Sequence, residues 1–106
     1  MKKFNLTNFI KGWFCGSFYP TIFDTKEYEV GIKRYKAGDY EPSHFHLLAD
    51  EITIIILGEV EMNGVKYSEN DIILIEKGMA TDFKCLTDVV TCVVKSGSFA
   101  GDKYIK

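Results

Sequence analysis

The sequence contains few residues of several types. Its cysteine pattern and its lack of basic stretches each exclude a class of protein. Histidine occurs twice, proline twice and tryptophan once among 106 residues. The three cysteines, Cys15, Cys85 and Cys92, lack CxxC spacing, and their odd number predicts free thiols in a reducing cytoplasm rather than a disulfide scaffold. The densest basic stretch is only Lys33-Arg34-Tyr35-Lys36 and the formal net charge is −2, so we expect no nucleic-acid partner.

Long apolar runs are also absent. The longest, 54–57, is far too short to span a bilayer, and the N-terminal stretch MKKFNLTNFIKGWF lacks the uninterrupted apolar run and cleavage site of a signal peptide. We therefore expect a cytoplasmic protein with no membrane partner. The length predicts a single domain, 1–106, and a hydrophobic content of 46% is sufficient for one core.

Short runs of β-branched and aromatic residues, separated by turn residues, predict an all-β fold of about eight or nine strands. Only the first dozen residues could hold a helical turn or two. Asn63-Gly64 predicts a type I′ hairpin, and Gly31 predicts a bulge or a bulky neighbour lying over the backbone. Strands this short and regular favour a sandwich or a closed barrel. The expected strands are 28–35, 42–47, 51–57, 59–62, 65–67, 72–75, 81–85 and 89–95.

Both histidines lie in one stretch, SHFHLLADE, at residues 43–51. Alternate residues of a strand share a face, so His44 and His46 are expected to point to one locus, and Glu51 can return to that locus from the next strand. Two imidazoles and one carboxylate suit a divalent transition metal such as Fe, Mn, Zn or Ni. The alternative is a pair of partly exposed histidines near a turn.

The wider stretch, GDYEPSHFHLLADEITIIILG at residues 38–58, has the spacing G-x5-H-x-H-x4-E-x6-G. It resembles the first motif of the cupin superfamily at every spacing. The second cupin motif, roughly G-x5-P-x-G-x2-H-x3-N, is matched only in part by ENDIILIEKGMATDF at residues 69–83. Gly78 agrees with that motif, but Glu76 stands in the proline position. Thr81 occupies the place of the histidine that is the fourth metal ligand in the family.

The resemblance covers about residues 28–95 and implies a single small antiparallel β-barrel, the cupin-like double-stranded β-helix or jelly roll. It implies that His44, His46 and Glu51 are metal ligands in the barrel mouth. A threonine hydroxyl is a poor substitute for imidazole, so the metal would be weakly bound or absent. Residues 1–25 are expected to form an N-terminal arm that covers a barrel face or crosses to the second subunit of a homodimer, with simple core packing as the alternative.

Three further residues are candidates for substrate binding. Thr81 and Phe83 share one face of their strand, next to the expected metal locus. Arg34 could reach an anionic ligand if its face of the 28–35 strand is the interior. The opposite parity would place Lys33 and Tyr35 inside and leave Arg34 in solvent.

Two hypotheses for function follow. The first is a metal-dependent enzyme of isomerase, epimerase or dioxygenase type, acting on a small polar metabolite such as a sugar or an organic acid. The second is a non-catalytic module that binds a small molecule or dimerises, with weak or no metal. The fold hosts too many chemistries to decide whether the protein is an enzyme, and metal occupancy is the property that separates the two hypotheses.

Overall fold

The computed structural model describes residues 1–106 and contains ten strands and two short 3-10 turns. The 3-10 turns, Leu6–Asn8 and Ile10–Gly12, fall within the first dozen residues, as predicted. Neither has the length or hydrophobicity to cross a membrane. The strands are β1 (Trp13–Cys15), β2 (Glu29–Tyr35), β3 (Tyr40–Phe45), β4 (Glu51–Leu57), β5 (Glu59–Met62), β6 (Val65–Ser68), β7 (Ile72–Ile75), β8 (Thr81–Cys85), β9 (Val89–Lys95) and β10 (Tyr104–Ile105).

The strands form two antiparallel five-stranded sheets. The first sheet has the order β1-β2-β9-β4-β7, and the second has the order β10-β3-β8-β5-β6. The all-β prediction is confirmed, but the prediction of one closed barrel is not. The strand pairing stays within each sheet, and β1, β7, β10 and β6 remain as edges.

The hydrophobic core lies between the two sheets because the inward-facing residues of both alternate with outward-facing ones. The first sheet contributes Ile55, Ile75 and Val89, and the second contributes Val60, Met62, Phe83 and Cys85. Met62, Ile75 and Phe83 also line a cavity between the sheets, so the core forms part of that cavity's wall. Cys15, Cys85 and Cys92 are free thiols, as predicted.

Local turn chemistry explains how β5 returns as β6. Asn63 and Gly64 have φ values of 50° and 79°, and Met62 pairs with Val65 across the turn. Two consecutive residues with positive φ are the requirement of a type I′ turn, so this prediction is confirmed.

Four strand boundaries differ from the prediction by one or two residues: β2 begins at Glu29, β3 begins at Tyr40 and ends at Phe45, and β6 ends at Ser68. The early end of β3, at Phe45 rather than at residue 47, places His46 just beyond the strand.

The two ends of the chain add strands outside the predicted 28–95 core. In the 1–25 segment, β1 pairs with β2 of the same chain, and β10 near the C-terminus pairs with β3. The Trp13 ring lies over the backbone of Gly31, where a Cβ atom would come within 2.7 Å of the indole Cε3. Only glycine leaves room for this contact, which confirms the sequence-based interpretation of that position.

The outer face of the first sheet is apolar across four strands. Cross-strand pairing aligns one row of Val30, Val94, Ile52 and Leu74, and a second row of Ile32, Cys92, Ile54 and Ile72. Ile52, Leu74 and Ile72 are exposed large hydrophobic residues. Because neither row contains a charged residue, this outer face is a candidate interface.

Candidate functional site

The cavity between the sheets has a volume of about 280 Å³. Its lining includes five of the six predicted site residues: His44, His46, Glu51, Thr81 and Phe83. They come from β3 and the residue after it, from the first residue of β4, and from β8. The alternation of side chains along these strands therefore brings distant parts of the sequence to one cavity.

His46 is buried and held by two contacts. Its Nδ1 contacts the backbone carbonyl oxygen of Asp102, and its Nε2 lies 3.6 Å from Glu51 Oε1. A carbonyl oxygen only accepts hydrogen bonds, so Nδ1 carries the proton and donates it. In the neutral ring, Nε2 is then left with its lone pair on the side of Glu51.

His44 has the same kind of partner. Its Nδ1 donates to the carbonyl oxygen of Pro42 at 3.0 Å, which leaves Nε2 as the free ring nitrogen. The His44 and His46 rings are 5.5 Å apart at 82°, an edge-to-face arrangement. Across the strand pair, His44 lies opposite Thr81, the residue at the family's histidine position.

His44, His46 and Glu51 are suitable ligands for a transition metal, but they are not arranged as a preformed metal site. Histidines that bind metals commonly donate their second ring N–H to a backbone carbonyl, as His44 and His46 do here. However, no three His, Cys, Asp or Glu side chains form a cluster that could hold a metal ion. Binding through His44, His46 and Glu51 would have to draw the groups together, which lowers affinity relative to a preorganised site.

The contact between His46 and Glu51 shifts both groups toward their charged forms. The interaction with Glu51 raises the pKa of His46 above its ordinary 6.5, although burial opposes this rise. Burial alone would raise the pKa of Glu51, but the interaction with protonated His46, the hydrogen bond from Thr53 and the charge of Lys95 together hold it below 4.5. Thr53 Oγ1 donates to Glu51 Oε2 at 2.9 Å. At neutral pH the cavity therefore contains a carboxylate beside an imidazole that protonates readily.

Asp102 organises the turn between the histidines and Glu51. Its buried carboxylate accepts hydrogen bonds from the backbone N–H groups of Leu47, Leu48 and Ala49 at 2.8–3.2 Å. Its carbonyl holds His46, so one residue fixes both the turn and the imidazole. No sequence pattern indicates this role, because Asp102 lies 56 positions after His46.

The cavity also contains groups that the sequence left undecided. Lys33 and Tyr35 line it, whereas Arg34 is exposed and borders a second, open cavity beside the N-terminal turns. Strand β2 therefore directs Lys33 and Tyr35 toward the cavity and Arg34 toward solvent. Tyr35 Oη donates to Glu41 Oε1 at 3.2 Å, and burial followed by the Glu41 charge strongly raises the pKa of Tyr35, which keeps the phenol protonated.

Thr81 and Phe83 are both buried in the cavity wall. The Thr81 hydroxyl donates to the backbone carbonyl of Asp82 at 2.8 Å, so it is occupied locally. Phe83 packs against Tyr35 with ring centroids 5.0 Å apart and belongs to the hydrophobic core. Its contacts are those of a core residue that also faces the cavity.

No protein-family model matches the sequence, and no curated protein matches it either. Among solved structures, the fold is similar to that of a conserved protein with a double-stranded β-helix domain from Klebsiella pneumoniae, at 20% identity, TM-score 0.68, and coverage of 76% of this chain and 71% of the other. An RmlC-like cupin from Shewanella frigidimarina matches at 16% identity, TM-score 0.65, and coverage of 71% and 70%. The DMSP lyase DddQ from Ruegeria pomeroyi matches at 20% identity and TM-score 0.65, over 77% of this chain and 44% of that one.

These similarities establish that the chain has the double-stranded β-helix fold of the cupins. The double-stranded β-helix implied by the HxH and glutamate motif is therefore confirmed, whereas its closure into a single barrel is not. At these identities the similarity shows architecture and does not assign an activity.

The first prediction concerns the pKa of His46. In metal-free protein, an NMR titration is expected to give a His46 pKa above 6.5, and Glu51→Gln should lower it because the favourable charge is removed. The exposed Glu59 offers a control, since Glu59→Gln should leave the His46 pKa unchanged. Equal His46 pKa values in the wild type and Glu51→Gln would contradict this account.

The same pair makes stability depend on pH. The raised pKa of His46 gives stability that is complete below pH 6.5 and lost as pH rises through the folded-state value. The lowered pKa of Glu51 gives stability present above pH 4.5 and lost as pH falls. Between these limits both contributions are present, so the wild type should exceed Glu51→Gln in stability most clearly there.

The second prediction concerns Asp102. Asp102→Asn is expected to reduce the free energy of unfolding by about 1.5–3 kcal/mol, because a charged acceptor of several N–H groups becomes a neutral one. Asp24→Asn is the matched control, since Asp24 is exposed. Chemical denaturation measures both. A loss no larger than that of the control would show that the carboxylate does not stabilise the turn.

Proposed function

We propose that this protein is a cytoplasmic cupin-type protein that binds a small polar metabolite, such as a sugar or an organic acid, in the cavity between its sheets. A divalent transition metal, Fe, Mn, Zn or Ni, is held there by His44, His46 and Glu51. The observation that supports this most strongly is the pair of histidines whose Nδ1 atoms are both bonded to backbone carbonyls. That arrangement leaves both Nε2 atoms free of protein partners that would block a metal, and the Nε2 atom of His46 lies 3.6 Å from Glu51 Oε1.

The cavity residues suit the binding and orientation of a polar ligand. A bound metal would polarise a carbonyl or hydroxyl oxygen of the ligand as a Lewis acid, which suits isomerase or epimerase chemistry, or would activate dioxygen if it is iron, which suits dioxygenase chemistry. Glu51 would act as a metal ligand or as a base, and Tyr35, whose proton is donated to Glu41, can accept a hydrogen bond from a ligand through its hydroxyl oxygen. Phe83, Met62 and Ile75 form an apolar part of the wall that limits access of water.

A second candidate is a binding module without catalysis. Two observations favour it: Thr81 stands where the family has its fourth ligand, and the three remaining donors are not gathered into a cluster. Both reduce metal affinity. In that case the cavity would still accept a small ligand, and His46 and Glu51 would act as a hydrogen-bonding pair.

The third prediction is metal uptake that depends on these donors. Purified protein stripped with chelator and titrated with Fe, Mn, Ni or Zn is expected to bind one equivalent, measured by calorimetry and elemental analysis. His44→Ala and Glu51→Gln should each abolish binding, while Glu59→Gln should not change it. Affinity should rise as pH increases through the His46 pKa, since the metal competes with the proton.

Thr81→His is the complementary variant. Because Thr81 lies opposite His44 in the β3–β8 pair, a histidine there adds an imidazole beside the existing donors. We expect affinity to increase by about tenfold or more, equivalent to about 1.4 kcal/mol. If the folded wild-type protein binds none of the four metals, and the Thr81→His variant binds none either, the metal site is excluded and the binding module is favoured.

We also propose that the protein is a homodimer formed through the outer face of the first sheet. Its two apolar rows make a patch on the order of several hundred Å², approaching the roughly 800 Å² that each partner hides in a stable interface. A second copy offers the same uncharged rows, and a two-fold axis brings them into contact with each other. Arg34, on the same face of β2 and opposite Val90, is exposed and lies at the margin of the two rows rather than within them.

The fourth prediction tests this dimer. Wild-type protein at tens of micromolar is expected to sediment as a dimer, and Ile52→Lys should convert it to a folded monomer by placing a charge in the apolar row. Val65→Lys is the control, because Val65 is 51% exposed on β6 of the other sheet. A monomeric wild type, or an Ile52→Lys variant that remains a dimer, would contradict the proposal.

A further inference from the structure

Four lysines line the cavity, and three of them have no ion-pair partner. Lys95 Nζ lies 3.9 Å from Glu29 Oε1, but Lys11, Lys33 and Lys103 have no carboxylate oxygen within 4.0 Å. Lysines on a surface are ordinarily dispersed in solvent. Here Lys33 and Lys95 are partly buried, Lys11 and Lys103 are exposed at the rim, and all four border the same open cavity as the histidines and Glu51.

The carboxylates of the cavity, in contrast, all have partners within the protein. Glu29 accepts from Ser98 Oγ at 2.9 Å, Glu41 accepts from Tyr35 Oη at 3.2 Å, and Glu51 accepts from Thr53 Oγ1 at 2.9 Å. Asp82 Oδ1 accepts from the backbone N–H of Asn63 at 2.8 Å. Each carboxylate therefore accepts a hydrogen bond from a neutral donor, which leaves its charge in place, and the four lysines and four carboxylates of the lining balance in formal charge. The positive charge is concentrated where Lys33 and Lys95 approach Trp13.

Two of the lysines are arranged around a single indole. Lys33 Nζ lies 5.0 Å and Lys95 Nζ 5.2 Å from the centroid of the Trp13 ring. The ring is seated on Gly31, which has no side chain to displace it. Attraction to the ring holds both ammonium groups close to the same indole.

Lys33 is the lysine of this group whose charged form is disfavoured by its surroundings. It is half-buried, and its Nζ donates to the carbonyl oxygen of Lys11 at 2.6 Å. Burial lowers its pKa; the Glu41 charge opposes this, and the nearby charges of Lys11, Lys95 and Lys103 lower it further. Partly desolvated like charges are costly to hold together unless an anion neutralises them.

We infer that Lys33 and Lys95, supported by Trp13, form a subsite for the anionic group, carboxylate or phosphate, of the small molecule bound in the cavity. The inference rests on the proposed function, because it assumes that the cavity takes a ligand, and it narrows the ligand to an anionic metabolite. A small anion offers several acceptor oxygens and can bond to both ammonium groups. The remainder of the ligand then extends toward His46 and Glu51 within the same cavity.

The fifth prediction uses metal-free protein and three probes: D-gluconate, D-glucose 6-phosphate and D-glucose. Trp13 is the only tryptophan, so its fluorescence reports binding at this position, and calorimetry gives the affinity. We expect at least one of the two anionic probes to bind and to change the fluorescence, and neutral glucose to bind at least tenfold more weakly. Which anion binds distinguishes a carboxylate ligand from a phosphate ligand.

The variants Lys33→Met and Lys33→Arg test the residue itself. Lys33→Met keeps the apolar stem and removes the charge, so affinity for the anion should fall at least tenfold while thermal stability is kept or increased. Lys33→Arg should retain binding, and the exposed Lys84 supplies the control variant Lys84→Met.

Three results would overturn the inference: neither anionic probe binds, glucose binds as well as the anions, or Lys33→Met binds like the wild type. Because the protein is metal-free throughout, these results are independent of the metal titration. Binding of neutral glucose with loss of anion preference would leave the ligand cavity intact and remove only the anion subsite.

Discussion

The hydrogen bond from His46 Nδ1 to the Asp102 carbonyl is the contact on which the whole candidate site depends. It fixes the tautomer, and so it determines that Nε2 is the nitrogen beside Glu51. The carboxylate of the same residue holds the turn that separates His46 from Glu51 in the sequence. Asp102 therefore couples the C-terminal segment to the geometry of the cavity, and β10 secures that segment by pairing with β3.

The cavity combines two chemistries on the walls of one fold. Near His46 and Glu51 are donors suited to a metal or to an exchangeable proton, while Lys33 and Lys95 gather positive charge on Trp13. The two are linked through β9 and β4, where Lys95 lies opposite Glu51. A ligand with a polar body and an anionic end would contact both regions: its polar groups would bind near His46 and Glu51, and its anionic end would bind Lys33 and Lys95.

The sequence was sufficient for local features and insufficient for long-range ones. Alternation and spacing predicted the strands, the Asn63-Gly64 turn and the shared cavity of His44 and His46, because these depend on near neighbours in the chain. The sequence could not determine which face of β2 points inward, because both faces of that strand carry apolar and charged residues. In the structure, Arg34 lies on the outer face. It also could not find Asp102, whose contacts form only after folding.

The most direct test of this account is the protonation of the two imidazoles, observed by NMR of ring 15N nuclei in metal-free protein above the His46 pKa. The structure predicts that both neutral histidines carry their proton on Nδ1. The proposed metal site predicts that Zn²⁺ shifts both Nε2 resonances together at one equivalent. A proton on Nε2 of His46, with ring signals indifferent to Zn²⁺, would contradict the central claim.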